Sequence, residues 1–137
     1  VESANKPRAL VVDDNAFVLL DACQILEDAG FECLQAESGD GAWEVICEHE
    51  GQVTLLFSDV DMPGTMNGLQ LAERVTRLYP TIEIILASGH VGLSANDLPG
   101  TTTFVPKPFS VGIVKEHLKR KLPAEKLPLE LKDQSPL

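Results

Sequence analysis

Several apolar runs in this chain end in residues suited to phosphoryl chemistry. Leu10-Val11-Val12 leads into Asp13-Asp14, Leu55-Leu56-Phe57 into Ser58-Asp59, Ile84-Ile85-Leu86-Ala87 into Ser88, and Phe104-Val105 is soon followed by Lys107. A carboxylate at the tip of a buried strand is a poised nucleophile or ligand. If the strands are parallel neighbours, the acids share one end of one sheet, where open α/β sheets bind ligands. Carboxylates ~5 Å apart at an effective dielectric near 20 repel by roughly 3 kcal/mol per pair, so such a pocket wants a cation. Mg²⁺ suits it, with oxygen ligands, retained waters and room for a phosphate oxygen. Asp59 is then the carboxylate nucleophile that takes a phosphoryl group as an acyl phosphate. Lys107 and the metal ion stabilise the incoming charge. Ser88 offers a hydroxyl that engages only the phosphorylated state, the property of a switch.

Strands and helices must alternate to bring these residues together, and the hydrophobic pattern does alternate. Strands are read at residues 9–12, 31–35, 53–58, 82–87 and 104–105. Between them, Val18, Ala22, Ile25 and Ala29 recur at helical spacing after an Asn15 cap and stop at Gly30. Ala42, Val45, Ile46 and His49 stripe a second helix over residues 39–50, with Trp43 off the stripe as partial cover. Leu71, Val75 and Leu78 stripe a third, ended by Tyr79-Pro80. Gly92, Asn96, Pro99 and Gly100 interrupt residues 91–103, so a short or irregular helix is expected there. Ser110 caps a last helix with Val111, Val114, Leu118 and Leu122 on one face. Lys115, Lys119, Arg120 and Lys121 crowd its end, read as a solvated terminus that complements the helix dipole.

At 137 residues the chain is the size of one domain. Its formal net charge of -10 argues against direct nucleic-acid binding, which needs clustered Lys and Arg. Cys23, Cys33 and Cys47 form no Cys-x-x-Cys unit and read as small core residues in a reducing compartment. No stretch is long and apolar enough for a membrane span, so a cytoplasmic protein without membrane contact is expected. The start at Val1 is read as a processed or excised piece. The expected organisation is an N-terminal extension at residues 1–7, a domain at 8–122 and a flexible tail at 123–137 carrying Pro123, Pro128 and Pro136.

Leu-Val-Val-Asp13-Asp14, Ser-Asp59-Val-Asp-Met62-Pro63, Ala-Ser88-Gly and Lys107-Pro108-Phe109, in that order, resemble the receiver domain of two-component response regulators, of the chemotaxis-regulator type. The resemblance covers residues 8–122. It implies a flavodoxin-like doubly wound fold with five parallel strands ordered 2-1-3-4-5 and helices on both faces. It further implies Asp59 as phosphoacceptor, Asp13 and Asp14 as the acidic Mg²⁺ pair, the backbone carbonyl of Asp61 as another metal ligand, Ser88 as hydroxyl switch, Lys107 as phosphate-pairing lysine and Phe104 as aromatic switch. The Asp61 and His90 side chains fall where the family tunes dephosphorylation, and the Lys107-Pro108 peptide is implied to be cis. The phosphodonor implied is a sensor histidine kinase or a histidine phosphotransfer protein, with an unnamed downstream protein and a phosphorylation-dependent homodimer as further partners. A receiver assists its own phosphorylation and dephosphorylation but is not an enzyme acting on an external substrate.

Residues 62–68 form a loop one residue longer than the usual family form, with Asn67 where Asp is common, and Pro106 removes a backbone donor before Lys107. No output domain is expected after Leu122. The alternatives are the terminal receiver of a hybrid histidine kinase, or a phosphatase of the haloacid-dehalogenase type. The latter would use Asp59-Val60-Asp61 as its motif, but Pro63 stands where a Thr or Val is wanted. A dinucleotide-binding module is excluded by the lack of Gly-x-Gly-x-x-Gly after the first strand.

Overall fold

Five short strands pair in parallel, and the central ones are almost continuously apolar because helices cover both faces. The computed structural model describes residues 6–62, 64–89 and 98–131. Its strands are β1 (Arg8–Val12), β2 (Glu32–Ala36), β3 (Val53–Asp59), β4 (Glu83–Ser88) and β5 (Thr103–Pro106). They lie in the order 2-1-3-4-5, as expected. The helices are α1 (Ala16–Asp28), α2 (Gly39–Glu48), α3 (Gly68–Leu78) and α4 (Val111–Lys121). The irregular helix expected within residues 91–103 lies largely outside the described residues.

Successive strand residues point to opposite faces, and the core divides accordingly. Ala9, Val11, Leu55, Phe57, Ile85, Ala87 and Val105 share a cluster with residues of α1 and α4. Leu10, Val12, Leu56, Ile84 and Leu86 share another with residues of α2 and α3. Helix starts are capped from the sequence itself. The Asn15 side chain accepts from the Phe17 and Val18 amides, Ser38 from Gly41, and Ser110 from Ile113. Asn67 and Gln70 form a reciprocal capping box at the start of α3.

Four expectations are corrected by the packing. Leu78 and Val111 are exposed at the ends of their helices, and Ala72 takes the inward place on α3. Cys47 lies on the outer face of α2, so only Cys23 is a fully buried thiol and Cys33 is half-buried. The end of α4 is not simply solvated: the Lys121 side chain is 6% exposed and its ammonium donates to the Thr101 carbonyl at 2.7 Å. The tail is not extended over residues 123–131. It forms 3-10 turns at Ala124–Lys126 and Leu129–Leu131, and Leu131 is buried in the same cluster as Leu26, Ala29 and Phe31. Leu127 and Leu131 are the apolar residues that make this docking favourable, and Lys126 ties it to the sheet through Thr81 and Glu83. Residues 132–137 lie outside the described set.

Candidate functional site: an acidic pocket at the strand ends

Parallel pairing places the acids by register. Val12 of β1 is level with Ser58 of β3, so Asp13 and Asp59 leave adjacent strands side by side. Asp13 and Asp59 are both buried, at 4% and 7% exposure, while Asp14 is exposed. One carboxylate oxygen from each of Asp13, Asp14 and Asp59 lies within 4.8 Å of the others. That is a donor set of hard oxygens with surplus negative charge, which fits a divalent cation such as Mg²⁺.

Lys107 reaches into this cluster from the loop after β5. Its ammonium donates to Asp13 Oδ2 at 2.9 Å and to Asp59 Oδ1 at 3.1 Å. Two contacts fix the loop that carries it. The Lys107 amide donates to the Ser88 carbonyl at 2.8 Å, extending the β4 to β5 pairing past Pro106. The Lys107-Pro108 peptide is cis, as the resemblance implied. Phe109 then packs edge-on against Phe57 of β3, with ring centroids 5.3 Å apart.

Charge in the pocket is set by opposing effects. Burial pushes the Asp59 carboxyl up, and its hydrogen bond to Lys107, the Lys107 charge and the Asp61 amide only partly offset this while Asp13 adds to it. For Lys107, burial alone would pull the ammonium down, but its bonds to Asp13 and Asp59 outweigh burial and hold it above its ordinary value. The lysine is therefore a permanent cation beside a carboxylate that is reluctant to stay charged.

Ser88 ends β4 fully buried, and its hydroxyl donates to Asp61 Oδ2 at a long 3.4 Å. Phe104 lies half-buried on β5, level with Leu86 and two residues before the Ser88 to Pro106 pair. His90 lies outside the described residues.

The sequence reading brought Asp13, Asp14, Asp59, Ser88 and Lys107 to one end of the sheet, and they are there. It missed the supports. The Asn15 amide donates to Asp13 Oδ1 at 2.9 Å, fixing that carboxylate from the start of α1. Gly68 packs directly on the backbone at Asp59: a Cβ there would collide with the Asp59 carbonyl and lie 2.8 Å from Val60 Cα. The long loop is anchored away from the pocket, with Gly64 at φ 102° and the Thr65 hydroxyl donating to Asp40 on α2 at 2.8 Å. A glycine directly after a capping Asn is a visible signal, but only the fold shows what it must clear.

Residues 9–119 match the family model of the response regulator receiver domain. The chain belongs to that family. It is 34% identical over 118 residues to the sensor kinase CckA of Brucella abortus, a match covering 81% of this chain and 12% of that protein. It is also 34% identical over 132 residues to the phosphate regulon transcriptional regulatory protein PhoB of Pseudomonas aeruginosa, covering 89% of this chain and 56% of PhoB. The chain thus spans only part of these relatives. Among solved structures, the receiver domain of the hybrid histidine kinase CckA superposes with a TM-score of 0.70 at 32% identity, covering 85% of this chain and 99% of that one. This receiver is a signalling module of two-component phosphorelays, and family membership does not favour the phosphatase alternative.

Proposed function

We propose that Asp59 accepts a phosphoryl group from a phosphohistidine on a sensor histidine kinase or histidine phosphotransfer protein. The observation that carries this reading is the Asp59 carboxylate, buried at a strand end, bonded to Lys107 and within 4.8 Å of the Asp13 and Asp14 carboxylates. Asp13, Asp14, Asp59 and the Asp61 carbonyl would hold Mg²⁺. When bound, the ion supplies charge neutralisation to the phosphoryl oxygens and orients the group. Asp59 attacks phosphorus as the bond to the imidazole nitrogen breaks, and Lys107 leaves its bridge to meet a phosphoryl oxygen. Ser88 turns its hydroxyl from Asp61 to the phosphoryl group, Phe104 follows, and the surface seen by a downstream protein changes. Asp61 and His90 set the rate at which water removes the group.

The receiver acts in the cytoplasm, a reading supported by its free cysteines. Among the described residues no helix is long and apolar enough to cross a membrane. With a net charge of -10 it makes no direct contact with nucleic acid. A second reading, a receiver within a hybrid histidine kinase, rests on the 34% identity to CckA, which the 34% identity to PhoB equals.

Intact mass of wild type and Asp59→Asn after incubation with acetyl phosphate, with and without Mg²⁺, tests the assignment. One phosphoryl adduct on wild type alone, dependent on Mg²⁺, is expected. An adduct on both proteins would move the acceptor elsewhere, and none on folded wild type would sink self-catalysed transfer from small donors.

A further inference from the structure

A cavity lies at the other end of the sheet and takes no part in the phosphoryl site. It has a volume of about 530 Å³ and is lined by Glu83, Thr101, Thr103, His117, Arg120 and Lys121. Glu83 opens β4 and Ser88 closes it, so the six-residue strand separates the cavity from the acidic pocket by about 17 Å.

Its charge is opposite to that of the chain. Lys121, almost fully buried, is 3.8 Å from Glu83 Oε1, while Lys126 holds Glu83 Oε2 at 2.9 Å. One carboxylate is therefore shared by two ammonium groups. Arg120 adds a third cation and has no ion-pair partner among the described residues. Thr103 Oγ1 and His117 Nε2 are hydrogen-bonded at 2.6 Å on the same wall. Burial first, then the charges of Lys121 and Arg120, hold the His117 imidazole below its ordinary value, which reports the same surplus of positive field.

We infer that this cavity binds a small molecule bearing an oxyanion, a phosphate or a carboxylate, through Arg120 and Lys121. A guanidinium fork pairs two oxygens at once, and the Lys121 ammonium, which donates to the Thr101 carbonyl at 2.7 Å and has only a long 3.8 Å contact to Glu83, keeps donor capacity for a new anion. The volume lies in the range of small-molecule sites and exceeds what a single inorganic ion fills. The threonine hydroxyls on the wall suit the neutral oxygens of such a ligand.

The test is a ¹H–¹⁵N NMR titration of the whole chain without Mg²⁺, using inorganic phosphate, citrate and, at matched ionic strength, sodium chloride. Saturable shifts at the amides of Thr103, His117 and Lys121 are expected with phosphate, citrate or both. The first result assigns a phosphate ligand, the second a carboxylate, and the third a site for either group. Arg120 is exposed, so Arg120→Gln should fold normally and bind about tenfold more weakly, the loss of a charge-assisted pair. Asp59→Asn should respond like wild type. Shifts that do not saturate, that chloride reproduces, or that persist unchanged in Arg120→Gln would overturn the inference.

Discussion

Asp59 is held at a buried strand end with favourable partners in Lys107 and the Asp61 amide and unfavourable company in Asp13. Because its folded-state value is raised, its contribution to stability is fully present below the unfolded carboxyl value and is lost as pH rises through the folded one. Ionised Asp59 therefore destabilises the unphosphorylated protein at neutral pH. Asp59→Asn keeps an acceptor for Lys107 and removes the charge. Its Tm at pH 7 should exceed that of wild type by a few degrees, on the scale of about 1 kcal/mol, and its stability should fall less between pH 4 and about 7. Thermal melts across that range check both, and an unchanged Tm would mean the repulsion is already neutralised. Lys107→Ala should stay folded yet take up phosphoryl groups from acetyl phosphate about 10²-fold more slowly, read from a time course of intact mass. A normal rate would remove Lys107 from the chemistry.

At the scale of elements, α3 begins just beyond the pocket and its capping box decides where. The Asn67 side chain accepts from the Gln70 amide and the Gln70 side chain accepts from the Asn67 amide, each at 2.9 Å. Asn67→Ala should cost about 1 kcal/mol in urea unfolding, and a loss near zero would show that the loop recaps itself. Helix α1 carries Phe17 at 85% exposure and Leu20 at 60%. Their sequence neighbours Val18 and Asp21 line a cavity of about 250 Å³ together with Lys107, Pro108 and Phe109. An exposed apolar surface beside the acidic pocket would suit a docking protein, and the proposed phosphodonor is the one to test. Phe17→Ala should slow transfer from a phosphorylated histidine protein about tenfold while leaving stability and uptake from acetyl phosphate unchanged. Equal slowing with both donors would place Phe17 in the chemistry instead.

Across the whole molecule, residues 123–131 close the end of the sheet away from the pocket. Leu131 is 3% exposed, and Lys126 bonds the Thr81 carbonyl at 2.6 Å. Leu131→Ala should lose about 2–4 kcal/mol in urea unfolding, the range for emptying a core leucine site. An unchanged midpoint would mean that the segment leaves the core readily in solution.

The chemistry-bearing residues and their order were legible because each follows an apolar run, and a parallel sheet gathers such ends at one edge. Helix caps at Asn15 and Ser110 were legible because capping is local: the side chain reaches an amide two or three positions on. Which helical positions face inward at the termini was not, since Leu78 and Val111 keep the spacing but are exposed at the ends of their helices. Nor was the fate of residues 123–131, whose prolines and charges look extended until Leu26, Ala29 and Phe31 offer Leu131 a place. Motif order thus specifies the acidic pocket from sequence alone. The surplus of positive charge around Glu83 and the clearance Gly68 gives the backbone of Asp59 exist only once distant segments meet, because charge pairing and steric fit depend on distances that no local pattern encodes.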